Sequence, residues 1–452
     1  MDGFYIIDLS VSGIKSLEKE AKLSFYRKTI LNHPDFSDYR IKGIYGPNGS
    51  GKTAIISAIK ILKDLVLNPY YLTNDMNQRK LRELVNKRTH RFTISVVYLV
   101  ELDDLDKPYL YRYSVEVAQS ELGVYSIVNE RLEYKRATSR STDYRVLFEI
   151  VAGSISDLSI KDRRLDTLIK NETVNLLDNM SMGAAFFTRV MPAIKQLGDD
   201  LQYSEEIIIA CSCLVVFCIS VCVYMEDQDL HDDYILNELY FSSSQKLPLR
   251  SQVRLINNYD SVFSFIEERN IVKKDKFDLF ASQVKQLERF LVIFKSELRG
   301  VDIDKVENDD EFVCRLIMKY DGYSIDSEYE STGIKKLIKV YHYIQKMCEG
   351  HIVFIDELDA NLHDVYLCAL LEYLSEYATG QLCFTSHNIG PMRVLKKKKK
   401  SIDFLSSDGT INSWTTSGNY SPAMLYQNGM ISGSPFNIDV TDFIGVFDGE
   451  GY

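Results

Sequence analysis

Alternation of apolar and polar residues predicts β-strands through most of the first 160 residues. Seven segments are rich in Val, Ile, Tyr and Phe, and turn residues separate them. The last four of these segments predict an antiparallel sheet that is attached to the core of the protein. The segments are residues 4–11, 22–27, 41–45, 92–100, 109–117, 124–134 and 144–151.

The pattern becomes helical in the middle of the chain. Between residues 165 and 298, Leu, Ile and Phe recur at spacings of three and four with charges between them, and a strand pattern returns at 310–318. With 452 residues there is room for one large domain with an insertion, or for two to three domains. We predict an N-terminal lobe at 1–160, a helical insertion for assembly or partner binding at 161–300, and a C-terminal lobe at 301–452.

A glycine-rich loop lies between a predicted strand and a predicted helix. Residues 46–53 read Gly-Pro-Asn-Gly-Ser-Gly-Lys-Thr, between the strand 41–45 and the helix 53–66, and match the pattern G-x-x-x-x-G-K-[ST]. Backbone N–H groups of such a loop surround a polyphosphate, Lys52 would reach the β- and γ-phosphates, and Thr53 would hold Mg²⁺. The predicted nucleotide-binding residues are Gly46, Asn48, Gly49, Ser50, Gly51, Lys52 and Thr53.

Two carboxylates follow a second strand pattern three hundred residues later. Residues 351–357, His-Ile-Val-Phe-Ile-Asp-Glu, read as a parallel strand that is buried on both faces. Ligands bind at the carboxyl ends of such strands. We therefore predict Asp356 as a Mg²⁺ ligand and Glu357 as the general base that polarises an attacking water.

Two further polar segments are candidates for contacts with the terminal phosphate. The strand 382–385 ends at Ser386-His387-Asn388, where His387 could sense a γ-phosphate or be an ordinary hydrogen-bonded residue. Ser331-Thr332-Gly333 begins a predicted helix, so its hydroxyl and free N–H groups could bind an anion or simply cap that helix.

The order of these motifs resembles that of the ATP-binding-cassette (ABC) ATPases, specifically their SMC-like and OLD-like branch. The resemblance implies an α/β P-loop NTPase of the ABC/SMC-head type, ATP and Mg²⁺ as ligands, and a homo-oligomer joined through its ATPase heads. In that branch a Ser-x-Gly signature, here Ser331, Thr332 and Gly333, closes over the γ-phosphate that another protomer holds. Thr332 stands where the second glycine is usual, and His387 matches the switch histidine. The resemblance assigns contacts across the dimer to Asp359, Asn361, Leu362 and His363.

The C-terminal tail is similar to the tails of ATPase subunits in bacterial anti-phage operons, such as the phage anti-restriction-induced system. This resemblance implies a sensor or scaffold that controls a separate effector, a nuclease subunit from the same operon, in response to a phage-encoded trigger. About 65 residues follow His387, too few for a Toprim nuclease domain. The matching segments are 418–422, 425–426, 434–437 and 442–443.

The net charge bears on whether the protein binds nucleic acid, and the cysteines bear on its location in the cell. A net charge of −11 argues against a general nucleic-acid binder. The run Lys396–Lys400 could nevertheless contact phosphates, so an SMC-like DNA-repair or DNA-loading ATPase is the alternative function. Eight cysteines without a CxxC spacing, and no visible signal peptide, predict a cytoplasmic protein.

One apolar stretch could argue against a cytoplasmic location. Residues 207–224 contain 18 residues without a charge, which is long enough to span a membrane. Acidic residues flank the stretch on both sides, and no Lys/Arg bias fixes an orientation. We predict a buried helix or a subunit interface, with a membrane anchor as the alternative.

Overall fold

The fold was analysed in a computed structural model. It describes residues 3–26, 30, 34–137, 143–197, 206–226, 249–252, 263–398, 400–415, 420–432 and 434. Within this part of the chain the strands form three sheets. The strands are β1 (Gly3–Ser12), β2 (Ala21–Ser24), β3 (Ile41–Tyr45), β4 (Arg91–Glu101), β5 (Tyr109–Gln119), β6 (Tyr125–Arg136), β7 (Arg145–Val151), β8 (Ser154–Leu158), β9 (Val221–Tyr224), β10 (Asn270–Lys273), β11 (Gly300–Asn308), β12 (Glu311–Tyr320), β13 (Tyr323–Asp326), β14 (Ile352–Ile355), β15 (Gln381–Thr385), β16 (Ile402–Leu405) and β17 (Ile411–Ser413).

Helices cover the sheets and connect the lobes. The segment 182–197 is one helical run in which the π-helical turn Phe186–Val190 joins α4 to α5. The α-helices are α1 (Lys52–Leu67), α2 (Asp75–Leu84), α3 (Arg163–Glu172), α4 (Met182–Ala185), α5 (Met191–Leu197), α6 (Glu206–Ser220), α7 (Phe277–Phe294), α8 (Thr332–Cys348), α9 (Asp364–Tyr377), α10 (Gly390–Leu395) and α11 (Pro422–Gln427).

The six-stranded sheet positions the candidate site. Its order is β17-β16-β3-β15-β14-β9, and every pair is parallel except β16 with β17. Residues of β3, β14 and β15 are buried throughout, as expected for parallel strands that are covered on both faces. The carboxyl ends of β3, β14 and β15 therefore lie side by side at one edge of the sheet.

The seven-stranded sheet is antiparallel, with the order β2-β1-β4-β5-β6-β7-β8. Its inner face, α1, α6 and the parallel sheet share one hydrophobic core, in which Leu9, Ile59, Val96 and Phe217 are inaccessible to solvent. The prediction of an α/β protein with an antiparallel lobe is confirmed. The four-stranded sheet β10-β12-β11, with β13 on β12, packs with α7 and α8 around a second core.

The predicted helical insertion contains more than helices. Residues 161–300 include α3 to α7, but they also include β9, which pairs with β14 at the edge of the parallel sheet, and β10. Residues of α6 and β9 pack in the main hydrophobic core. The division into three domains stays a prediction.

The uncharged stretch 207–224 is part helix and part strand. Helix α6 is apolar on all sides and almost entirely buried, and it ends at Ser220. The last four residues, Val, Cys, Val and Tyr, form β9, which pairs in parallel with β14. Among the described residues, no helix combines the length and the hydrophobicity that crossing a membrane requires.

Candidate functional site

The glycine-rich loop joins the buried strand β3 to α1. Gly51 caps α1 with a φ of +107°, a left-handed conformation, and a Cβ there would lie 2.6 Å from Cδ2 of Leu17. A Cβ at Gly46 would lie 2.3 Å from the carbonyl oxygen of Leu405. Both positions thus require glycine, because the backbone of the loop passes close to its neighbours.

Lys52 folds back over this loop. Its Nζ lies 2.7 Å from the carbonyl oxygen of Gly46 and 3.0 Å from that of Pro47, and the side chain is buried. Burial lowers the pKa of Lys52, while the carboxylates of Asp356, Glu357 and Asp359 act in the opposite direction. The ammonium group is therefore held by weak carbonyl partners near three negative charges.

The two predicted carboxylates follow β14, next to the end of β15. The hydroxyl of Thr385 donates to Oδ1 of Asp356 at 2.5 Å and accepts from the backbone N–H of Glu357 at 2.8 Å. Glu357 has a φ of +48°, which is uncommon for a residue with a side chain, and its side chain is exposed. One buried threonine thus orients both acidic residues.

Asp359 connects this segment to the loop that carries His387. Its Oδ2 accepts the backbone N–H groups of His387 at 3.2 Å and Asn388 at 3.1 Å. The side chain of His387 is exposed. In this chain Asp359 therefore fixes the backbone beside His387, and its assigned contact across a dimer stays a prediction.

These elements enclose a cavity of about 580 Å³. It brings the glycine-rich loop together with Glu357 and His387, which lie more than three hundred residues later in the sequence. Of the predicted nucleotide-binding residues, Gly46 and Ser50 do not line it. The lining residues are Lys15, Ser16, Asn48, Gly49, Gly51, Lys52, Thr53, Ala54, Glu357, Thr385 and His387.

Lys15 and Ser16 were missed by the sequence analysis. They lie in the tight turn that follows β1, where the backbone N–H of Lys15 donates to Leu84 at 2.6 Å and its carbonyl accepts from Asn86 at 2.8 Å. Lys15 has a φ of +47°. The available signal was a Gly-Ile-Lys-Ser sequence directly after a strand, which predicts a turn but no ligand.

The predicted signature lies outside this cavity. Ser331 caps α8, where its Oγ accepts the N–H of Ile334 at 3.5 Å, and the side chains of Ser331 and Thr332 are exposed. A Cβ at Gly333 would lie 2.8 Å from the carbonyl oxygen of Asn361, which has a φ of +62°. The signature and Asn361, one of the residues assigned to contacts across the dimer, are therefore neighbours on the surface of one chain.

The residues assigned to Mg²⁺ fit a site whose other ligands come from a bound phosphate, not a site made of protein ligands alone. Oδ1 of Asp356 accepts from Thr385, and no hydrogen bond from the described residues reaches Oδ2. Thr53 adds a hydroxyl at the cavity wall. Among the described residues there is no cluster of three His, Cys, Asp or Glu that could bind a metal ion. A carboxylate and a hydroxyl suit Mg²⁺ when phosphate oxygens complete the shell.

The lysine run is not a uniform surface. Lys396 and Lys397 are exposed, whereas Lys400 is buried and its carbonyl accepts from Lys42 at 2.6 Å. In the tail, α11 lies close to the glycine-rich loop, since the ring of Tyr426 is 6.4 Å from that of Tyr45, the residue before the loop. The tail positions 418–419, 435–437 and 442–443 lie outside the described residues.

Comparisons with known proteins give only distant similarities. No protein-family model and no curated protein matches the sequence. Among solved structures, an Smc head bound to the C-winged helix domain of ScpA matches with 16% identity and a TM-score of 0.42, over 91% of this chain and 98% of that one. An Smc head domain with an extended coiled coil, bound to the C-terminal domain of ScpA from Pyrococcus furiosus, matches with 17% identity and a TM-score of 0.40, over 94% and 99%. These values assign no family.

Proposed function

We propose that the chain binds ATP with Mg²⁺ and hydrolyses it. The observation that carries this proposal is the cavity itself, where a glycine-rich loop with its lysine faces an exposed glutamate and a histidine. A neutral ligand would gain little from Lys15 and Lys52, whereas a polyphosphate would pair with both. An anion at the start of α1 would also meet the positive end of the helix dipole.

Phosphate binding requires an exchange of partners at Lys52. Its Nζ would leave the carbonyl oxygens of Gly46 and Pro47 for phosphate oxygens, which form stronger, charge-assisted hydrogen bonds. Thr53 and Asp356 would hold Mg²⁺, which neutralises charge on the phosphates when it is bound.

Hydrolysis requires a group that orients and deprotonates water. Glu357 is exposed to the cavity, and its backbone is fixed by Thr385. We assign it as the general base. His387, which also lines the cavity, is assigned to the γ-phosphate, where negative charge would develop.

A composite site between two copies completes the proposal. Ser331 and Thr332 are exposed at the start of α8 and do not line the cavity of their own chain. The Ser331 oxygen accepts from Ile334 and the Ser331 N–H donates to Glu330, so the Ser331 hydroxyl proton is the group that would donate to a phosphate held by a second protomer.

In the cell, we propose that the closing of two protomers over bound ATP controls a separate effector, as part of an anti-phage defence complex. The proposal rests on the resemblance of both ends of the sequence to ATPases of that kind. The alternative is an ATPase that acts directly on DNA, which the exposed Arg393, Lys396 and Lys397 favour. The net charge of −11 opposes it.

Two substitutions test the ATPase proposal. Lys52→Ala should weaken ATP binding at least tenfold, because a charge-assisted phosphate contact is lost. Glu357→Gln should retain binding but lower turnover on the order of a hundredfold, because an amide cannot accept the proton of water. Binding is measured by calorimetry and turnover by phosphate release. Lys397→Ala and Glu376→Gln, at exposed positions, are the matched controls. Equal turnover in Glu357→Gln and the wild type would reject Glu357 as the base.

A second experiment separates the two cellular roles. The chain is purified with its operon neighbours, and the complex is analysed for bound protein and for DNA. A stable protein partner, with turnover that DNA does not change, supports the effector proposal. If DNA stimulates turnover, and if Lys396→Glu and Lys397→Glu abolish this stimulation, the alternative is favoured instead.

A further inference from the structure

The short tail helix α11 packs next to the start of the glycine-rich loop 46–53, the proposed phosphate loop. Tyr426 is 5% exposed, and its ring stacks on Phe404 at a centroid distance of 5.3 Å. The same ring meets the edge of Tyr45 at 6.4 Å. Tyr45 is the last residue of β3 and directly precedes Gly46. The tail thus reaches the point where the central sheet passes into the loop.

Gly46 is contacted from both sides. Its carbonyl oxygen accepts from Lys52 at 2.7 Å, while the ring of Tyr426 meets that of the preceding residue, Tyr45, which brings the Tyr426 hydroxyl near the Gly46 N–H. Burial raises the pKa of Tyr426 to about 12, and the N–H of Gly46 partly offsets that effect. The hydroxyl is therefore protonated at neutral pH and lies against this peptide group as a neutral partner.

The rest of the tail is anchored next to the same point. Oγ of Ser432 lies 3.0 Å from Oγ of Ser406, and Ser406 directly follows the Leu405 carbonyl that closes off Gly46. Ala423 is buried and Ile431 packs against the main core. By contrast, Tyr420 and Met424 are 62% and 50% exposed.

We propose that Tyr426 is a positioning residue for the phosphate loop, and that docking of the tail segment 420–432 and binding of nucleotide strengthen each other. This inference rests on the proposed function, since it concerns the same site. When Lys52 turns to a phosphate, Gly46 loses its carbonyl partner, and Tyr426 then holds the beginning of the loop. By linkage, a tail that favours the binding conformation of the loop must itself be held more firmly when nucleotide is bound.

The variant Tyr426→Phe isolates the hydroxyl, because the ring and its stacking remain. The affinity for ATP should fall about three- to tenfold, as expected for the loss of one neutral hydrogen-bonding partner. Turnover at saturating ATP should stay within about twofold, because Tyr426 does not line the cavity. Tyr420→Phe makes the same chemical change at an exposed position and should alter neither value.

Hydrogen exchange tests the reciprocal effect, which a purely structural role would not produce. In the wild type, ATP should slow amide exchange in 420–432, and in Tyr426→Phe this slowing should be smaller. An unchanged affinity in a folded Tyr426→Phe protein overturns the inference. If that variant does not fold, the wild type decides, because tail exchange that ATP leaves unchanged overturns the inference as well.

The outcomes distinguish this inference from the proposed function. If the wild type and Lys52→Ala both fail to bind ATP, the proposed function fails. If the wild type binds ATP and Lys52→Ala does not, the site is a nucleotide site, and the results for Tyr426 and the tail then bear on the coupling alone.

Discussion

At the scale of single residues, Thr385 has an unusually concentrated role. Its hydroxyl donates to the predicted Mg²⁺ ligand Asp356 and accepts from the backbone of the predicted base Glu357. Both bonds depend on one oxygen atom that is buried at the end of β15. The relative placement of metal and base is therefore set by a residue that needs to contact neither phosphate nor water.

Replacing Thr385 by Val should separate these tasks from packing, because the two side chains have the same shape. We expect turnover to fall at least tenfold, since the Asp356 oxygen and the Glu357 N–H both lose their partner. The affinity for ATP should change much less. Thr385→Ser keeps the hydroxyl and should retain most of the turnover. Normal turnover in Thr385→Val would show that the two acidic residues are oriented in another way.

At the scale of elements, a buried carboxylate joins the antiparallel lobe to the helical run 182–197. Glu130 on β6 accepts the N–H of Met182, at the first turn of α4, with distances of 3.0 and 2.8 Å to its two oxygens. The hydroxyl of Tyr113 donates to it at 2.8 Å. Burial raises the pKa of Glu130 to about 7, although these hydrogen bonds favour the charged form.

This shift makes stability depend on pH. The folded protein holds the Glu130 proton between the ordinary pKa of 4.5 and about 7, whereas the unfolded chain releases it. The stabilisation is thus complete below pH 4.5 and is lost as the pH rises through 7. It amounts to about 3 kcal/mol at most. The variant Glu130→Gln cannot titrate, so its free energy of unfolding relative to wild type should rise by up to that amount between pH 4.5 and 8.

Denaturant unfolding at both pH values measures this difference. Glu121→Gln, which makes the same chemical change at an exposed position, provides the control. A constant difference for Glu130→Gln would mean that Glu130 titrates at an ordinary pKa.

Some elements could be predicted from the sequence, whereas others could not. The strands of the antiparallel lobe alternate in polarity along their own length, so local pattern was enough to find them. The end of α6 was not predictable, because Val221 to Tyr224 are as apolar as the helix before them. Their strand conformation depends on β14, which lies about 130 residues later in the chain.

Of the residues in the candidate site, some could likewise be predicted from the sequence and others could not. The loop around Lys52, the pair after β14 and His387 are marked by local motifs, and the structure brings them to one cavity. Lys15 reaches the cavity from a turn without a motif. The role of Thr385 follows only from the parallel register of β14 with β15, in which Ile355 pairs with Phe384.

At the scale of the whole molecule, a site shared between two copies can be tested by mixing defective chains. Ser331→Arg should block closure and Lys52→Ala should prevent binding, so each variant alone should be inactive. In a mixed dimer, the loop of the Ser331→Arg chain faces an intact signature. Random mixing should therefore restore about a quarter of wild-type turnover, because half of the dimers are mixed and each has one intact site.

Phosphate release measured after mixing purified variants provides the readout. A mixture of Lys52→Ala with Glu357→Gln is the matched control. Both substitutions act on the binding half of the site, so the Lys52→Ala chain offers no loop and the Glu357→Gln chain no base. No recovery in the first mixture, with both proteins folded, would place Ser331 outside a shared site.

The strand order of the central sheet also has a consequence for how the protein is made. Strand β3, which leads into the phosphate loop, is flanked by β15 and β16, so it has no neighbour in its sheet until residue 385 has left the ribosome. The strands of the antiparallel lobe pair largely with their neighbours in sequence, so they can form much earlier. A nascent chain thus carries its loop and the apolar face of β3 exposed during most of its synthesis. A copy that ended before Asp356 would carry this loop without the acidic pair, so it could not complete the proposed shared site with a full-length neighbour.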